Sequence, residues 1–384
     1  DQPRSRGLGD VYKRQIFGST QMRKSPAVWR PIFFMQAVQK KLKEIMTPFC
    51  QMRFDSGEGD DSMSVKTKVL QVLESNRNRP VSGQELADTL GVTRTAVWKA
   101  VKSLQEEGYT ISAVTKVGYC LEAENDILSA EAIRLHLPGK LRTLPIEVLK
   151  TVDSTNSYAK KRMIDGASHG TIILSEEQTK GRGRYGKSFF SPAGTGIYLS
   201  LILKPEQNLR QVLPITIAAA VAVTRVVENY TDTAVTIKWV NDIYADGKKI
   251  CGILTEAMTD FESGMVEGVV LGIGVNIKTE PEAFPGDLKG LAGSLFPREI
   301  TRNQIVAEII IEFLKLYRRL DSPKLVEEYK SRSCVIGEKV AWIWEECLCE
   351  GIAEDIDGAG NLVIRMQDGT RHLLNAGEIS IRKS

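Results

Sequence analysis

The chain has 384 residues, enough for two or three domains, and its 42% hydrophobic and 26% charged residues are ordinary for a globular protein. A net charge of +3 gives no global basic field, so any surface for nucleic acid has to be local. The six cysteines include no C-x-x-C pair, which argues against a disulfide framework or zinc site and favours a reducing, cytoplasmic location. No apolar run reaches the roughly 20 residues of a membrane span, so no membrane partner is expected.

Residues 1–62 differ in character from the rest of the chain and show no apolar periodicity. They lack the continuous apolar segment and small-residue cleavage site of a signal peptide. We expect them to be a non-native or disordered extension, with the natural chain starting near Met63. The alternative is a basic targeting arm.

Residues 63–125 have the pattern of a small helical domain. Ser82 opens a short helix that ends before Gly91, and its spacing to a glutamate three residues later is that of a capping box. Thr93 caps a further helix over residues 94–107. Two helices joined by a glycine turn are typical of a helix-turn-helix, whose last helix enters the major groove of DNA.

A wing and a polar helix face favour DNA binding by this domain. Residues 109–121 alternate between apolar and polar side chains, which predicts a two-stranded wing. Basic and hydroxyl groups on the outer face of the last helix suit phosphates and base edges. The alternative is a three-helix interaction domain with a solvated face. The predicted DNA-binding residues are Ser82, Thr93, Arg94, Thr95, Trp98, Lys99 and Lys102.

Residues 126–332 alternate between strand and helix patterns, which predicts an α/β domain. Strands are expected at residues 146–152, 170–174, 196–203, 235–239 and 268–275. Helices are expected at residues 156–165, 213–230 and 302–320. Residues 333–384 alternate in strand fashion with Asp-Gly turn signals, which predicts an all-β segment.

A glycine-rich loop carries the main chemical signal of the central region. Gly181, Gly183 and Gly186 match the G-x-G-x-x-G spacing of a dinucleotide-binding loop, but a strand pattern follows them where that loop requires a helix. Arg182 and Arg184 would also crowd the close backbone approach that such glycines permit. We interpret the segment as a flexible loop whose arginines bind phosphate or carboxylate and which closes over an anionic ligand. The alternative is a solvated basic loop without a ligand.

Three further segments place polar and cationic groups beside predicted strands. Residues 153–156 (DSTN) supply small hydrogen-bonding groups at the start of a helix. Residues 238–242 (KWVND) supply a lysine, an amide and a carboxylate, and residues 249–254 (KICGIL) add a lysine next to an apolar strand. Together with the glycine loop they predict a pocket with polar groups for a neutral ligand and cations for a phosphate.

The motifs from residue 64 onward resemble those of the bifunctional biotin protein ligases and biotin operon repressors. That family's G-R-G-R-x-G, D-S-T-N and K-W-P-N-D motifs stand here at 181–186, 153–156 and 238–242. Its K-x-x-G-I-L, G-x-G-x-N and G-E-I-S-x-R motifs stand at 249–254, 272–276 and 377–382. Val240 departs from the family's usual proline, and Phe189 stands where tryptophan is frequent and would pack on the adenine.

The resemblance implies an N-terminal winged helix-turn-helix, a central class II synthetase-like α/β catalytic domain and a C-terminal SH3-like β-barrel. It implies ATP-dependent ligation of biotin, through biotinyl-5′-AMP, to a lysine of the biotin carboxyl carrier protein of acetyl-CoA carboxylase. It also implies repression of biotin genes, in which biotinyl-5′-AMP acts as co-repressor and favours a homodimer on operator DNA.

The resemblance also assigns roles within the pocket. Arg184 and Lys249 are the expected catalytic residues, because they would neutralise the biotin carboxylate and the α-phosphate as these two anions meet. Mg²⁺ is expected to accompany ATP, with Asp242 as its candidate ligand. The expected biotin-binding residues are Ser154, Thr155, Asn156, Gln178, Arg182, Gly183, Arg184 and Lys249. The expected nucleotide-binding residues are Gly181, Arg182, Gly186, Phe189, Asn241, Asp242 and Asn276.

Three alternatives stay open at this point. A lipoate protein ligase has a related catalytic plan, although the arginine-rich loop favours biotin. A biotin-sensing repressor without ligase activity would be a binding protein, against which Arg184 and Lys249 argue. An unrelated winged-helix regulator with an α/β ligand domain would lack this set of motifs.

Overall fold

The computed structural model describes residues 64–114, 117–205, 212–259, 266–297 and 300–382. The extension expected at residues 1–62 therefore lies outside the described residues. Within the described ranges the strands form three sheets of two, seven and five strands, which follow one another along the chain.

The N-terminal part is the predicted winged helix-turn-helix. Its helices are α1 (Val65–Ser75), α2 (Gly83–Leu90) and α3 (Arg94–Glu106), followed by an antiparallel wing of β1 (Ile111–Val114) and β2 (Gly118–Leu121). The Ser82 and Thr93 hydroxyls accept hydrogen bonds from the N–H groups of Glu85 and Ala96 and so cap α2 and α3. Gly91, with a φ of 63°, makes the left-handed turn between these helices.

A core of its own holds this domain together. One face of each helix packs with the wing and with the bridge between Val81 and Tyr119. The buried core residues are Val69, Leu70, Leu73, Val81, Leu86, Ala87, Val97, Ala100, Val101, Leu104, Tyr109, Ile111 and Leu121. The buried residues of α1 and α3 lie on one face of each helix, which leaves the opposite face of α3 exposed.

The central part is a mixed seven-stranded sheet with helices on both faces. In chain order its elements are α4 (Ala130–His136), β3 (Ile146–Val152), α5 (Thr155–Ile164), β4 (Ile172–Gln178), β5 (Gly196–Leu203), α6 (Leu213–Val227), β6 (Val235–Lys238), β7 (Asp242–Ala245), β8 (Lys248–Thr259), β9 (Val266–Asn276), α7 (Arg302–Tyr317) and α8 (Pro323–Ser331). The strand order is β3-β4-β5-β9-β8-β7-β6, with β3 and β4 parallel and the other pairs antiparallel.

Neighbouring residues of β8 show how the two faces of this sheet are used. Asn156, at the start of α5, hydrogen-bonds to Glu256 on one face. On the other face, the Thr255 hydroxyl lies 2.7 Å from that of Thr216 in α6. Because successive strand residues point to opposite faces, α5 and α6 lie on opposite sides of the sheet. The cavity described below lies on the α5 side.

The C-terminal part confirms the predicted all-β segment. It consists of β10 (Lys339–Trp344), β11 (Cys347–Ile356), β12 (Leu362–Arg365), β13 (Arg371–Leu374) and β14 (Ile379–Ile381), in the order β13-β12-β11-β10-β14. The rings of Trp342 in β10 and His372 in β13 lie 5.7 Å apart between centroids. In a flat sheet three strand spacings of about 4.8 Å would separate these strands, so the sheet curls strongly, as expected of a small barrel.

Residues 123–129 join the winged helix to the central sheet through buried polar contacts. Oδ1 of the Asn125 side chain accepts a hydrogen bond from the N–H of Thr110, and the backbone carbonyl of Asn125 accepts one from the Arg77 guanidinium. The next residue, Asp126, binds the backbone N–H and the guanidinium of Arg302, which is only 2% exposed. Arg302 in turn pairs with Glu176 of β4 at 2.9 Å.

Candidate active site

A cavity of about 280 Å³ opens beside the ends of β4, β8 and β9. Its walls come from the start of α5, the glycine loop, the turn between β6 and β7, residues 288–292 and residues 377–379 of the C-terminal part. The structure brings together these predicted site residues: Ser154, Thr155, Asn156, Gln178, Arg182, Gly183, Arg184, Phe189, Asn241, Asp242 and Lys249. Gly181, Gly186 and Asn276 do not line the cavity.

Small polar groups at one end of the cavity form a hydrogen-bonded chain. The backbone N–H and the hydroxyl of Thr155 both donate to Oε1 of Gln178, at 2.8 and 3.0 Å. Nε2 of Gln178 donates to the Ser191 hydroxyl at 2.9 Å, and this hydroxyl donates to the carbonyl of Phe189. The chain of bonds fixes the start of α5 against the end of the glycine loop. Ser154, the neighbouring predicted residue, is buried and caps α5.

Asn156 is also anchored at this end by three side-chain hydrogen bonds. Its Oδ1 accepts a hydrogen bond from the Ser200 hydroxyl at 2.7 Å, and its Nδ2 donates to the Leu254 carbonyl and to Glu256. Burial alone would raise the pKa of Glu256, but hydrogen bonds from Lys160 and Asn156 hold this pKa below its ordinary value. Glu256 therefore stays ionised and keeps Asn156 oriented.

Glycines form the floor of the cavity because two side chains lie directly on them. A Cβ atom at Gly272 would stand 2.2 Å from Oδ1 of Asn156. A Cβ atom at Gly274 would stand 2.5 Å from the ring of Phe189. Such distances are far inside van der Waals contact, so the two glycines of the G-x-G-x-N motif are required by close approach.

The glycine loop is a narrow hairpin, and the next regular element is the strand β5 and not a helix, as predicted. The N–H of Phe189 donates to the carbonyl of Gly181 at 2.9 Å, and the N–H of Gly183 donates to that of Lys187 at 2.7 Å. A Cβ atom at Gly181 would stand 2.3 Å from the Phe189 carbonyl oxygen, which explains this glycine without a ligand contact. At the tip, Tyr185 and Gly186 both have positive φ values, 53° and 74°.

The two predicted catalytic cations are held by neighbouring residues of the KWVND motif. Nη1 of Arg184 donates to Oδ1 of Asn241 at 3.2 Å, and Asn241 itself is fixed by a bond from its Nδ2 to the carbonyl of Ile253. Nζ of Lys249 lies 2.6 Å from Oδ1 of Asp242. The guanidinium and the ammonium therefore stand on adjacent supports, where they can neutralise a carboxylate and a phosphate that approach each other.

The remaining predicted residues occupy the edge of this arrangement. Arg182 is exposed and lines the mouth of the cavity. Asn276 is buried, and its Nδ2 donates to the carbonyl of Gly293. Because Lys249 also exchanges backbone hydrogen bonds with residues 291 and 293, Asn276 and Lys249 both tie the loop that precedes α7 to the sheet.

Sequence reasoning missed several residues of the cavity wall. Glu378 of the C-terminal part lines the cavity and forms an ion pair with Lys187 of the glycine loop. Trp239 donates from its indole N–H to the carbonyl of Gly360, which joins the KWVND motif to the same C-terminal part. Tyr198 also lines the cavity, and burial raises the pKa of its hydroxyl well above the ordinary value. For Glu378 the available signal was the G-E-I-S-x-R motif, to which no role was assigned.

Five of the predicted DNA-binding residues share the exposed face of α3. Arg94, Thr95, Lys99 and Lys102 are exposed on α3, and Trp98 between them is 51% exposed. A tryptophan left open to solvent on a helix whose other face is buried is available for contact with another molecule. The hydroxyls of Ser82 and Thr93 are used as helix caps and can still donate their own protons.

The described residues hold no cluster of three or more histidine, cysteine or acidic side chains that could bind a metal ion. In the same part of the chain, no helix is both long enough and apolar enough to cross a membrane.

Three stretches of the chain match known protein families. Residues 65–120 match an HTH domain, residues 148–276 match the Biotin/lipoate A/B protein ligase family and residues 347–382 match the Biotin protein ligase C terminal domain. The matches follow the same order as the three parts of the fold.

Individual relatives share most of the chain. It is 35% identical to the bifunctional ligase/repressor BirA of Bacillus subtilis over 66% of this chain and 79% of that protein. It is 32% identical to the bifunctional ligase/repressor BirA of Bacillus spizizenii over 82% of this chain and 98% of that protein. Among solved structures, the biotin protein ligase from Aquifex aeolicus in complex with biotin and ATP is similar, with a TM-score of 0.54 and 26% identity over 62% of this chain and 99% of that one. The chain belongs to the family of bifunctional biotin ligase/repressor proteins.

Proposed function

We propose that the chain ligates biotin to a lysine of a biotin carboxyl carrier protein in two steps. In the first, the biotin carboxylate attacks the α-phosphate of ATP, giving biotinyl-5′-AMP and pyrophosphate. In the second, the carrier lysine attacks the acyl carbon, forming an amide and releasing AMP. The observation that carries the proposal is the placement of Arg184 and Lys249 on the adjacent supports Asn241 and Asp242 within one cavity.

The substrate carboxylate is the nucleophile, so the protein's task is positioning and charge neutralisation. Two anions repel one another as they meet, and fixed cations in a partly enclosed site offset that repulsion. Arg184 offers a planar fork for the carboxylate or phosphate oxygens, and Lys249 offers a compact charge on the other side. Arg182, exposed at the mouth, would engage the phosphates as the glycine loop closes.

Biotin binds at the polar end of the cavity in this proposal. Ser154, Thr155, Asn156 and Gln178 are already ordered by hydrogen bonds within the protein, so little side-chain freedom is lost when a neutral ring system arrives. Gly183 lets the loop backbone approach the valerate chain. Because the polar side chains at this end are buried and already hydrogen-bonded, they suit a small, polar and uncharged group of the ligand.

The nucleotide binds towards the loop and the glycine floor. In this proposal Phe189, which lies on Gly274, stacks on the adenine. Asn241 and Asp242 act mainly by holding Arg184 and Lys249, while Gly181, Gly186 and Asn276 act through the shape of the two loops. We propose that Mg²⁺ arrives bound to the phosphates of ATP, as is usual for this ion. The carboxylate of Asp242 is already paired with Lys249, and its service as a metal ligand stays a prediction.

We further propose that the winged helix represses biotin genes when biotinyl-5′-AMP is bound. Exposed basic residues on α3 would contact phosphates and base edges of the operator, and a homodimer would present two such helices to a palindrome. The buried contacts of Asn125 and Asp126 support a rigid connection between this domain and the central sheet. Domain limits of 63–125, 126–332 and 333–384, and a cytoplasmic location, stay part of the proposal.

Transfer of label tests the ligase half. The purified chain is incubated with ATP, an apo carrier domain and either radiolabelled biotin or radiolabelled lipoate. We expect label on the carrier with biotin and not with lipoate; the reverse result would establish the lipoate ligase, and no label with either compound would leave a binding protein. Arg184→Gly should release biotinyl-5′-AMP, which would then label bystander lysines.

DNA selection tests the repressor half separately. Duplexes are enriched from a random pool by the chain, and binding to the enriched sequence is measured with and without biotin plus ATP. We expect tighter binding with both substrates, because ligand binding, dimerisation and DNA binding are linked. Equal affinity in both conditions would overturn this half and leave the ligase assignment untouched.

A further inference from the structure

Tyr185, at the tip of the glycine loop, has an unusual backbone and an unusual exposure. Its φ is 53°, in the left-handed region that bulky side chains rarely adopt, and its side chain is 64% exposed. Residues held in such conformations cluster at functional sites, where the surroundings determine them. Tyr185 also lines the cavity.

The ring of Tyr185 contacts the guanidinium of its own neighbour. Cζ of Arg184 lies 5.2 Å from the ring centroid, within the range of a cation–π interaction, and Nη2 of Arg184 donates to the Tyr185 hydroxyl at 3.4 Å. Adjacent side chains of an extended chain point to opposite sides. The contact therefore depends on the bend that Tyr185 and Gly186 make with their positive φ values.

Asn241 holds the same guanidinium from a second direction. Nη1 of Arg184 donates to Oδ1 of Asn241, whose own amide is fixed to the carbonyl of Ile253. An aromatic ring and an amide thus define the plane of the fork. A long arginine side chain otherwise has many rotamers, and ordering it on ligand binding costs free energy.

We propose that Tyr185 is a positioning residue, which orients Arg184 towards the carboxylate and phosphate before the substrates bind. The proposal rests on the proposed ligase function and concerns how long biotinyl-5′-AMP is retained. Loss of an exposed cation–π contact corresponds to roughly a two- to fivefold change in an equilibrium or a lifetime. The ring should therefore lengthen the retention of biotinyl-5′-AMP by about this factor.

Two substitutions separate the ring from the backbone and the hydroxyl. Tyr185→Asn removes the ring but keeps a residue that tolerates the left-handed region, and Tyr185→Phe keeps the ring and removes only the hydroxyl. The full chain is loaded with radiolabelled biotin and ATP, and the release of biotinyl-5′-AMP is timed after dilution into unlabelled substrates. We expect release about two- to fivefold faster for Tyr185→Asn and unchanged for Tyr185→Phe.

A double-mutant cycle distinguishes positioning of Arg184 from a general effect on the loop. In an Arg184→Gly background, Tyr185→Asn should cause no further acceleration, because the group that the ring orients is gone. Thermal unfolding of each variant shows whether the fold is retained, and the exposed loop tip gives no reason for its loss.

Three results would overturn the inference alone: equal retention in Tyr185→Asn and wild type, equal losses in the asparagine and phenylalanine variants, or the same acceleration with and without Arg184. A wild-type chain that forms no biotinyl-5′-AMP would instead overturn the proposed function, and this inference would fall with it.

Discussion

Alanine in place of Gly272 should weaken the binding of biotin by displacing Asn156. A Cβ atom at position 272 would lie 2.2 Å from Oδ1 and 2.8 Å from Cγ of Asn156, so that side chain has to move. It would then lose its hydrogen bonds with Ser200, the Leu254 carbonyl and Glu256. At about 1 kcal/mol for each bond, the lost free energy is about 3 kcal/mol.

The expected change in the dissociation constant for biotin follows from this free-energy loss. If about half of the loss falls on the complex, the dissociation constant for biotin rises roughly tenfold, since about 1.4 kcal/mol corresponds to a factor of ten. The rest lowers the free energy of unfolding. Titration calorimetry with biotin alone measures the first quantity, and denaturant unfolding measures the second.

Gly274→Ala is the matched control two residues along the same strand. Its Cβ atom would lie 2.5 Å from the ring of Phe189, so the change should disturb the nucleotide side and spare biotin. We expect Gly272→Ala to affect mainly biotin and Gly274→Ala to affect mainly ATP. The reasoning would be refuted by folded Gly272→Ala protein with unchanged biotin affinity, or by identical effects of the two variants on both substrates.

Three further predictions concern stability and DNA. Arg302→Met should lower the free energy of unfolding by about 3–5 kcal/mol in a denaturant titration, because the carboxylates of Asp126 and Glu176 lose their buried partner. The control Arg319→Met, at an exposed position, should change the free energy of unfolding by less than about 0.5 kcal/mol. The folded-state pKa of Glu256 lies below its ordinary value of 4.5, so the ionised carboxylate stabilises the fold above pH 4.5 and this contribution is lost as the pH falls. Glu256→Gln should therefore make the free energy of unfolding depend less steeply on pH on the acid side. Lys102→Ala should weaken DNA binding about equally for all sequences and reduce the slope against log salt by about 1 in a filter-binding titration.

Opposite outcomes would identify which step of the reasoning is wrong. Equal stability losses for Arg302→Met and Arg319→Met would show that the buried ion cluster is not needed. If the free energy of unfolding falls as steeply at acid pH in Glu256→Gln as in the wild type, another group is responsible for the titration. A Lys102→Ala variant that changes sequence preference but not the salt slope would indicate a base contact.

Two strands whose own apolar residues indicate them lie where the sequence predicts them, at residues 146–152 and 196–203. The strand predicted at 170–174 lies instead at Ile172–Gln178. Gly170 has a φ of 82° and belongs to a turn, while the polar residues 175–178 continue the strand because they pair with β3. Pairing with a neighbour thus overrides local polarity, which a single sequence does not reveal. The helix predicted to reach residue 320 ends at Tyr317, where a turn follows.

The candidate site also combines features that local sequence predicts with features that depend on contacts between distant segments. Contiguous motifs predict the start of α5, the glycine loop and the KWVND turn, because each carries its chemistry within a few residues. The support that Asn241 and Asp242 give to Arg184 and Lys249 could not be predicted, since it depends on how separate turns meet. The contact of Lys187 with Glu378, 191 positions away, leaves no local pattern at either end.

Residues 377–379 in the cavity wall set an order of events during synthesis. The core of the winged helix closes within residues 69–121, whereas the cavity lacks part of its wall until residue 379 has left the ribosome. Because N-terminal domains fold first, the DNA-binding fold can form long before the ligand site is whole. A chain interrupted in β13 would therefore carry an intact helix-turn-helix with an unfinished pocket.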